Sequence, residues 1–426
     1  MRYSLYIKQA WQMMKHQRFF SAIYIIGTGL AISMVMVLAV VYHIRTANIA
    51  PEMNRNRTVY VDRVSYKSKD NKSTNNFGCG TRFVKEVILS LRTPEDVAIT
   101  AIPLVMNLND ALYMQAVGME KVKQVDYLPC NAGFWRVYSF HFREGKPFTE
   151  EEVEAGIHRV VITNSLAREL FGRSDVVGQE VLMNDVTYTV CGVVEDVSSA
   201  MKDCYAEAYF PYTTSNMVKI TGMPGEMSAS IGCLQANILL KDRGDMPELQ
   251  AELNDAVKRY NATLVEGRIE VGDARANGFT LMGVDQNRTY LVVGLFLLLF
   301  LLVPALNIYG LNASQIQERM EEIGIRKAFG APSRTLFEQI FVENLALMLP
   351  GGLLGLGFSY GLVYLFRNLL LMNGEISDNL FLSVGMLLNW QVFAYAFLVC
   401  LVLNLLSSLI PVWRAVKMNA IHALNM

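Results

Sequence analysis

Charge is scarce in this sequence. Asp, Glu, Lys and Arg make up 18% of the 426 residues, against about 25% in an ordinary soluble domain. The 38 basic and 39 acidic residues nearly cancel, leaving a net charge of −1. Lys and Arg are scattered and form no basic stripe, which excludes nucleic acid as a partner. Histidine is rarer still. His16, His43, His141, His158 and His422 stand far apart, and His141 and His158 read as structural. The six cysteines, Cys79, Cys130, Cys191, Cys204, Cys233 and Cys400, contain no CxxC pair. That excludes a zinc ribbon or a thioredoxin-like site. Cys400 lies in an apolar run and the other five in one polar region, where an odd number cannot all pair. Buried free thiols are expected, with one disulfide as the alternative.

Catalytic signatures are missing too. ATP binding would need GxxxxGK[ST], but Gly145-Lys146 is followed by Pro147 and lacks the upstream glycine. Neither HExxH nor GxSxG occurs. Glu150, Glu151 and Glu152 form a charge run that reads as the solvated start of a helix or turn. The chain is therefore expected to be no enzyme and to bind no cofactor or metal of its own.

What is present is apolar length: 52% of residues are hydrophobic and mean hydropathy is +0.26. Crossing roughly 30 Å of hydrocarbon takes about 20 apolar residues. Four runs qualify: Phe19–Tyr42, Tyr290–Leu311, Leu336–Phe366 and Val392–Trp413. None carries Lys, Arg or Asp at its centre, where each would cost about 2.5–3.5 kcal/mol. Glu343, about two turns into the third run, comes nearest to a buried charge. The first run is too long for the apolar part of a signal peptide, about 7–15 residues, and is expected to stay as an anchor.

Basic residues orient the spans. Arg2, Lys8, Lys15 and Arg18 precede the first; Arg319, Arg326, Lys327 and Arg334 lie between the second and third; Arg414 and Lys417 follow the fourth. The loop between the third and fourth has only Arg367. Both termini and the 314–335 loop are thus expected in the cytoplasm, with the long polar region outside. Residues 1–18 place Tyr3, Tyr6, Ile7, Ala10, Trp11 and Met14 on one helical face, which suits a helix lying on the inner leaflet; a disordered basic leader is the alternative.

The polar region reads as mixed α/β. "TVYVDRVSY" (58–66), "DVAITAI" (96–102), "SASIGCLQANILLK" (228–241) and "LVEGRIEVG" (264–272) read as strands, and 81–92 and 245–260 as helices, with Asp245 as a candidate N-cap and Pro247 near the first turn. Between these flanking units, "RVVIT" reads as a strand. Asn164 is a candidate cap for "SLARELF", Gly172 its stop, and Asn184-Asp185 a tight hairpin turn. The expected fold class is a membrane protein: four transmembrane α-helices with a large mixed α/β extracytoplasmic domain inserted between helices 1 and 2. The expected order is an interfacial helix at 1–18, a span at 19–43, the outer domain at 44–288, a span at 289–313, a cytoplasmic helix and loop at 314–335, a span at 336–366, a short outer loop at 367–390, a span at 391–413 and a tail at 414–426. Within the outer domain, porter-like α/β units near 50–115 and 215–285 flank an inserted lobe near 116–214.

The segment "ERMEEIGIRKAFGAPSRTLFEQ" (318–339) has the polarity of a stable helix. Glu318, Glu321 and Glu322 lie at its start and Arg326 and Lys327 near its end, as the helix dipole prefers. Glu322 and Arg326 form an i,i+4 pair worth about 0.3–0.5 kcal/mol. Met320, Ile323 and Phe329 offer apolar contacts, and Gly330 and Pro332 mark the stop. At about 1.5 Å per residue, Glu318–Phe329 is a rod of roughly 18 Å; a solvated loop helix that only connects the two spans is the alternative. Gly27, Gly29 and Ser33 in the first span, and Gly351, Gly352, Gly355, Gly357 and Gly361 in the third, are small residues that let helices approach closely; lipid-facing glycine is the alternative.

The segment that opens "ERMEEIGIRKAFGAPSRTLFEQIFVENLALMLPGG" resembles the signature of the FtsX-like, MacB-type ABC transporter permeases. "REGKPFTEEE", "VVITNSLARELFG", "VVGQEV" and "YTVCGVVEDV" are similar to that family's periplasmic core domain, and "IPVWRAVKMNAIHALNM" to its C-terminal end. The resemblance covers nearly the whole chain. It implies a coupling helix that docks on a separate ATPase dimer, comprising Glu318, Arg319, Glu321, Glu322, Ile323, Gly324, Ile325, Arg326, Lys327, Phe329, Gly330 and Ala331. It implies that ATP and Mg are bound by that partner, that a second permease copy or a paralogue completes a dimer, and that the chain sits in a bacterial inner membrane. A periplasmic membrane-fusion adaptor and an outer-membrane channel are further partners it allows. The function implied is mechanotransmission driving export or efflux. Signalling to cell-wall hydrolases, or lipoprotein extraction, are the alternatives.

Overall fold

The computed structural model describes residues 18–61, 63–69, 74–101, 111–198, 201, 203–215, 225–272, 275–276 and 332–365, with isolated positions elsewhere that include Ile325 and Phe329. The chain divides into two compact units. One comprises 1–44, 280–376 and 383–426; the other comprises 45–279 with 377–382.

Among the described residues, the 45–279 unit is built on sixteen strands in three stretches of chain. The first supplies β1 (Thr58–Val61), β2 (Val64–Ser68), β3 (Thr74–Cys79) and β4 (Asp96–Ala101). The second supplies β5 (Leu112–Ala116), β6 (Val122–Val125), β7 (Tyr127–Cys130), β8 (Phe142–Gly145), β9 (Arg159–Thr163), β10 (Glu180–Met183), β11 (Val186–Val194) and β12 (Ala208–Pro211). The third supplies β13 (Ile231–Gly232), β14 (Leu234–Leu239), β15 (Gly267–Val271) and β16 (Arg275–Ala276).

The first and third stretches share one core. β14 lies between β1 and β4, antiparallel to both, with Ala236 opposite Val61 and Ile99. All six of its residues are buried, as a central strand requires. Phe83, Val87, Ile99, Leu234, Leu249 and Leu253 pack in this core, where each fully buried side chain of that size contributes about 1.5–3 kcal/mol. The middle stretch has its own core of Met114, Val160, Ile162, Leu166, Leu170 and Val190. In it β9 and β11 run parallel, and the Asn164–Phe171 helix follows β9. The two halves of the sheet meet at β4 and β7, with Thr100 opposite Cys130. Asn131, buried beside that pair, stitches them together. Its side-chain oxygen accepts from Ile99 N–H at 2.9 Å and its amide donates to the Val97 carbonyl at 3.1 Å.

Several local expectations are revised. The 58–66 run is two strands, because β1 pairs with β14 while β2 turns to β15 and β3. The 228–241 run begins as a helix, Gly225–Ser230, since the Ser230 hydroxyl bonds the Glu226 carbonyl at 2.7 Å and lies 2.9 Å from the Tyr260 hydroxyl. Within 81–92, one α-turn passes into a π-turn over Val84–Ile88. Thr163, not Asn164, caps the following helix by accepting from Leu166 N–H, and Gly172 closes it at φ 72°. Asp245 makes no side-chain cap to the Met246–Asn261 helix; it completes a capping box with Asp242 one turn earlier.

In the other unit, two helices run for 29 residues (Arg18–Thr46) and 33 residues (Ser333–Leu365). At about 1.5 Å per residue both backbones exceed the roughly 30 Å of a bilayer core. Judged on the described residues alone, however, no helix is long and apolar enough to cross a membrane. The expected spans at 289–313 and 391–413 lie mostly outside the described residues. The count of four therefore stays an expectation from sequence.

Candidate functional site

Three features bear on function. The first is the expected coupling segment. Ile325 and Phe329 are described: Phe329 N–H donates to the Ile325 carbonyl at 3.1 Å, one helical turn, and the two side chains are 47% and 89% exposed. Among the described residues none covers the Phe329 ring. Glu318, Arg319, Glu321, Glu322, Ile323, Gly324, Arg326, Lys327, Gly330 and Ala331 lie outside the described residues. Directly after the segment, Arg334 Nε donates to Glu338 Oε1 at 3.0 Å, an exposed i,i+4 pair on the first turn of the Ser333–Leu365 helix.

The second is a crossing of the two long helices at small residues. A Cβ placed on Gly29 would stand 3.1 Å from the Gly351 carbonyl oxygen, and one on Gly351 would stand 2.3 Å from Thr28 Oγ1. Thr28 is held there by its own helix, donating to the Tyr24 carbonyl at 2.8 Å. Ser33 is buried and turned the same way, onto the Leu30 carbonyl at 2.8 Å. Ile32, Val35, Met36 and Met348 form the apolar cluster around the contact. Gly352 faces the Phe397 ring instead, 2.7 Å from a built Cβ. Gly357 and Gly361 are exposed, and a Cβ on either would meet no atom of another element within 4 Å; Gly27 is half-buried. The structure thus brings Gly29, Gly351 and Gly355 together and leaves Gly357 and Gly361 apart from them.

The third feature escaped the sequence reading. The stretch 47–57, which leads from the first long helix into β1, carries a buried ion pair between Glu52 and Arg55, 2% and 8% exposed. Arg55 Nη1 donates to the Ala47 carbonyl at 3.1 Å, and its Nη2 approaches Met201 Sδ at 3.4 Å. The second Glu52 oxygen accepts from Cys204 Sγ at 3.4 Å. Burial, reinforced by the Glu52 and Asp203 carboxylates, pushes the Cys204 thiol well above its usual range, so it remains an S–H donor. Burial and the same carboxylates also raise the Tyr60 phenol. Nearby, Arg57 Nη1 donates to the Leu240 carbonyl at 2.8 Å and pairs with Glu95. The only sequence signal is an i,i+3 Glu–Arg pair after a long helix, which is commonplace on protein surfaces.

No group of His, Cys, Asp and Glu suited to a metal occurs among the described residues. His141 lies 3.5 Å from Glu195 at the surface and His158 packs on Tyr188. Thr149 and Glu152 make Glu150–Glu154 a capped helix start, which accounts for the glutamate run.

Residues 21–256, more than half of the chain, match the family model described as the MacB-like periplasmic core domain, and 294–420 match the FtsX-like permease C-terminal model. The chain belongs to this MacB-like, FtsX-like family of ABC transporter permeases. It is 25% identical over 297 residues to an uncharacterized ABC transporter permease, YknZ, of Bacillus subtilis, covering 69% of this chain and 68% of that protein. It is 27% identical over 248 residues to the macrolide export ATP-binding/permease protein MacB of Bdellovibrio bacteriovorus, covering 57% of this chain and 36% of that protein. The chain therefore matches about a third of the length of that relative. Among solved structures it is similar to the extracellular domain of the transporter YknZ from Gram-positive bacteria, at TM-score 0.34 and 14% identity over 50% of this chain and 99% of that one.

Proposed function

We propose that this protein is the permease subunit of a type VII, mechanotransmission, ABC transporter that exports envelope substrates. ATP with Mg is bound and hydrolysed by a partner ATPase dimer on a separate chain. Closure of that dimer displaces the coupling helix, Glu318–Phe329, and a pair of permease chains carries the displacement to the periplasmic domain, which drives cargo outward. The observation that carries this reading is the order of the two family matches. The periplasmic core match at 21–256 comes first and the FtsX-like match at 294–420 encloses the charged 318–329 segment. The exposed Phe329 ring gives the partner an apolar anchor, and the close packing of Gly29 on Gly351 lets the two long helices move as one body. The relative named for macrolide export makes macrolides the first cargo class to try.

The test is charge reversal, Glu322→Lys with Arg326→Glu, or Gly324→Phe, in a chain co-expressed with its ATPase. The variant chain is expected to reach the membrane in normal amount while macrolide tolerance of a sensitised host falls at least tenfold. Normal tolerance together with undiminished ATPase co-purification removes the coupling role. Labelling of 314–335, rather than of 44–288, by an impermeant reagent would reverse the topology on which the reading stands.

A further inference from the structure

We propose that Asn131 is the positioning residue that locks the two cores of the 45–279 unit into one rigid body. The rigidity stands on geometry alone; its use, passing displacement from one core to the other, rests on the mechanotransmission reading.

The sheet that joins the two cores is thin where they meet. β4 and β14 pair along the whole strand, from Leu234 opposite Ala101 to Leu239 opposite Asp96. Between β4 and β7 the ladder is reduced to Thr100 opposite Cys130. The apolar clusters stay on their own sides: Ile99 and Ala101 belong to one, and Tyr127 packs against the other. A single backbone pair is an axle, about which the two halves could twist.

Asn131, the residue after Cys130, removes that freedom. Its backbone N–H donates to the Ile99 carbonyl at 3.1 Å, and its side-chain oxygen accepts from Ile99 N–H at 2.9 Å. Its Nδ2 donates to the Val97 carbonyl at 3.1 Å, two residues or roughly 6.6 Å further along β4. The same side-chain oxygen accepts from Phe134 N–H at 3.1 Å, which fixes the Phe134–Val137 turn to this anchor. Asn131 is buried, and a buried hydrogen-bonded network rigidifies what it joins. An amide supplies acceptor and donor together; Asp lacks the donor and Leu lacks both.

Gly133 lets the turn come this close, since a Cβ there would collide with the Val97 carbonyl oxygen. Beyond the turn, the Tyr138 hydroxyl accepts from Asn237 Nδ2 at 2.7 Å, with both side chains buried. The stretch from Asn131 to Tyr138 therefore grips β4 and β14 at points away from the axle. Apolar contact alone would hold the cores together but let them slide, because burial is non-directional. Hydrogen bonds to the strand's own amides and carbonyls fix the register, because they weaken steeply when misaligned.

The experiment uses the full chain with its ATPase in lipid nanodiscs, labelled chain diluted with unlabelled. Genetically encoded spin labels are paired between the cores, at Glu180 and Lys258. They are also paired within each core, at Glu154 with Glu180 and at Arg243 with Lys258, all exposed positions. In the wild type the 180-to-258 distribution is expected to be as narrow as those within each core, and to keep its mean when ATP and Mg are added. In Asn131→Leu it is expected to widen at least twofold while both within-core distributions keep their width. An unchanged 180-to-258 width overturns the lock. Equal widening of all three also overturns it, because a residue that only stabilises would loosen each core as well. So does a wild-type mean that moves with ATP and Mg. Gly133→Ala, which pushes the turn off β4, is expected to widen the same pair, and is read by the same criteria should the Leu variant fail to accumulate. The width is read without nucleotide and decides on Asn131 by itself. Failure of the wild-type chain to co-purify its ATPase would remove the mechanotransmission reading and leave the rigid body standing.

Discussion

A Cβ on Gly355 would lie 2.7 Å from the Gly29 carbonyl oxygen and 3.0 Å from the Ile32 side chain. The backbones of the two long helices therefore touch at this point, and no larger residue fits without separating them. Gly355→Leu is expected to cost about 1–3 kcal/mol from overpacking, read as a lower melting temperature of the purified chain in detergent. Gly361→Ala, on the same helix but with nothing within 4 Å, is expected to gain up to about 1 kcal/mol from helix propensity. Equal destabilisation by both would mean that the crossing is not at Gly29.

Acid should loosen the periplasmic domain through identifiable carboxylates. Backbone N–H groups of Glu266 and Val265 hold the Glu226 carboxyl below its usual range. The Lys123 ammonium, and then Lys121, does the same for Glu169. A depressed folded-state pKa means that the unfolded chain binds more protons as pH falls. The stabilisation is complete above the unfolded carboxyl range, about 4.3, and is lost as pH drops through the lower folded values. Melting temperature followed from pH 7 to 3 should therefore fall at the acid end. Glu226→Gln should make that fall shallower; an unchanged slope would remove Glu226 from the account.

Thiol chemistry offers an independent check on burial. Among the described residues, no disulfide joins Cys79, Cys130, Cys191, Cys204 or Cys233. Burial pushes the Cys130 and Cys204 thiols well above their ordinary range, Cys191 up to about 12 and Cys233 up to about 11. Thiolate is the reactive form, so maleimide at pH 7.5 should leave all five unmodified until the chain is denatured, as intact mass would show. Modification of half-buried Cys191 within minutes in the folded chain would contradict its raised thiol pKa.

The parts of this fold that were legible in the sequence are those fixed by neighbours in the chain. The Asn184-Asp185 turn appears with φ of 45° and 66°, the left-handed region a tight hairpin demands. Gly172 ends its helix at φ 72° for the same local reason. Tertiary choices were not legible. Nothing in "LQANIL" says that it lies between β1 and β4, each more than 130 residues upstream. Glu52 and Arg55 look like a surface pair until Met201 and Cys204, about 150 residues away in sequence, close over them. Of the coupling segment, only Ile325 and Phe329 can be compared with the sequence reading.

The start of the Asn164–Phe171 helix separates two adjacent residues that the sequence leaves equivalent. Thr163 and Asn164 are both good caps, and pattern alone favoured Asn164. In the fold, Thr163 is the last residue of β9 with φ −73° and ψ 157°, the extended backbone of an N-cap, and its Oγ1 accepts from Leu166 N–H at 3.4 Å. Asn164 has already entered the helix, and its side-chain oxygen is buried with no hydrogen-bond partner in the structure. Thr163→Ala removes the cap and is expected to cost about 1 kcal/mol. Asn164→Ala removes an unpaired buried acceptor and raises helix propensity, so it should be neutral or slightly stabilising. Melting temperatures of the two purified variants should differ in that order. The reverse order would return the cap to Asn164 and would require its side chain to turn toward the Leu166 or Ala167 amide.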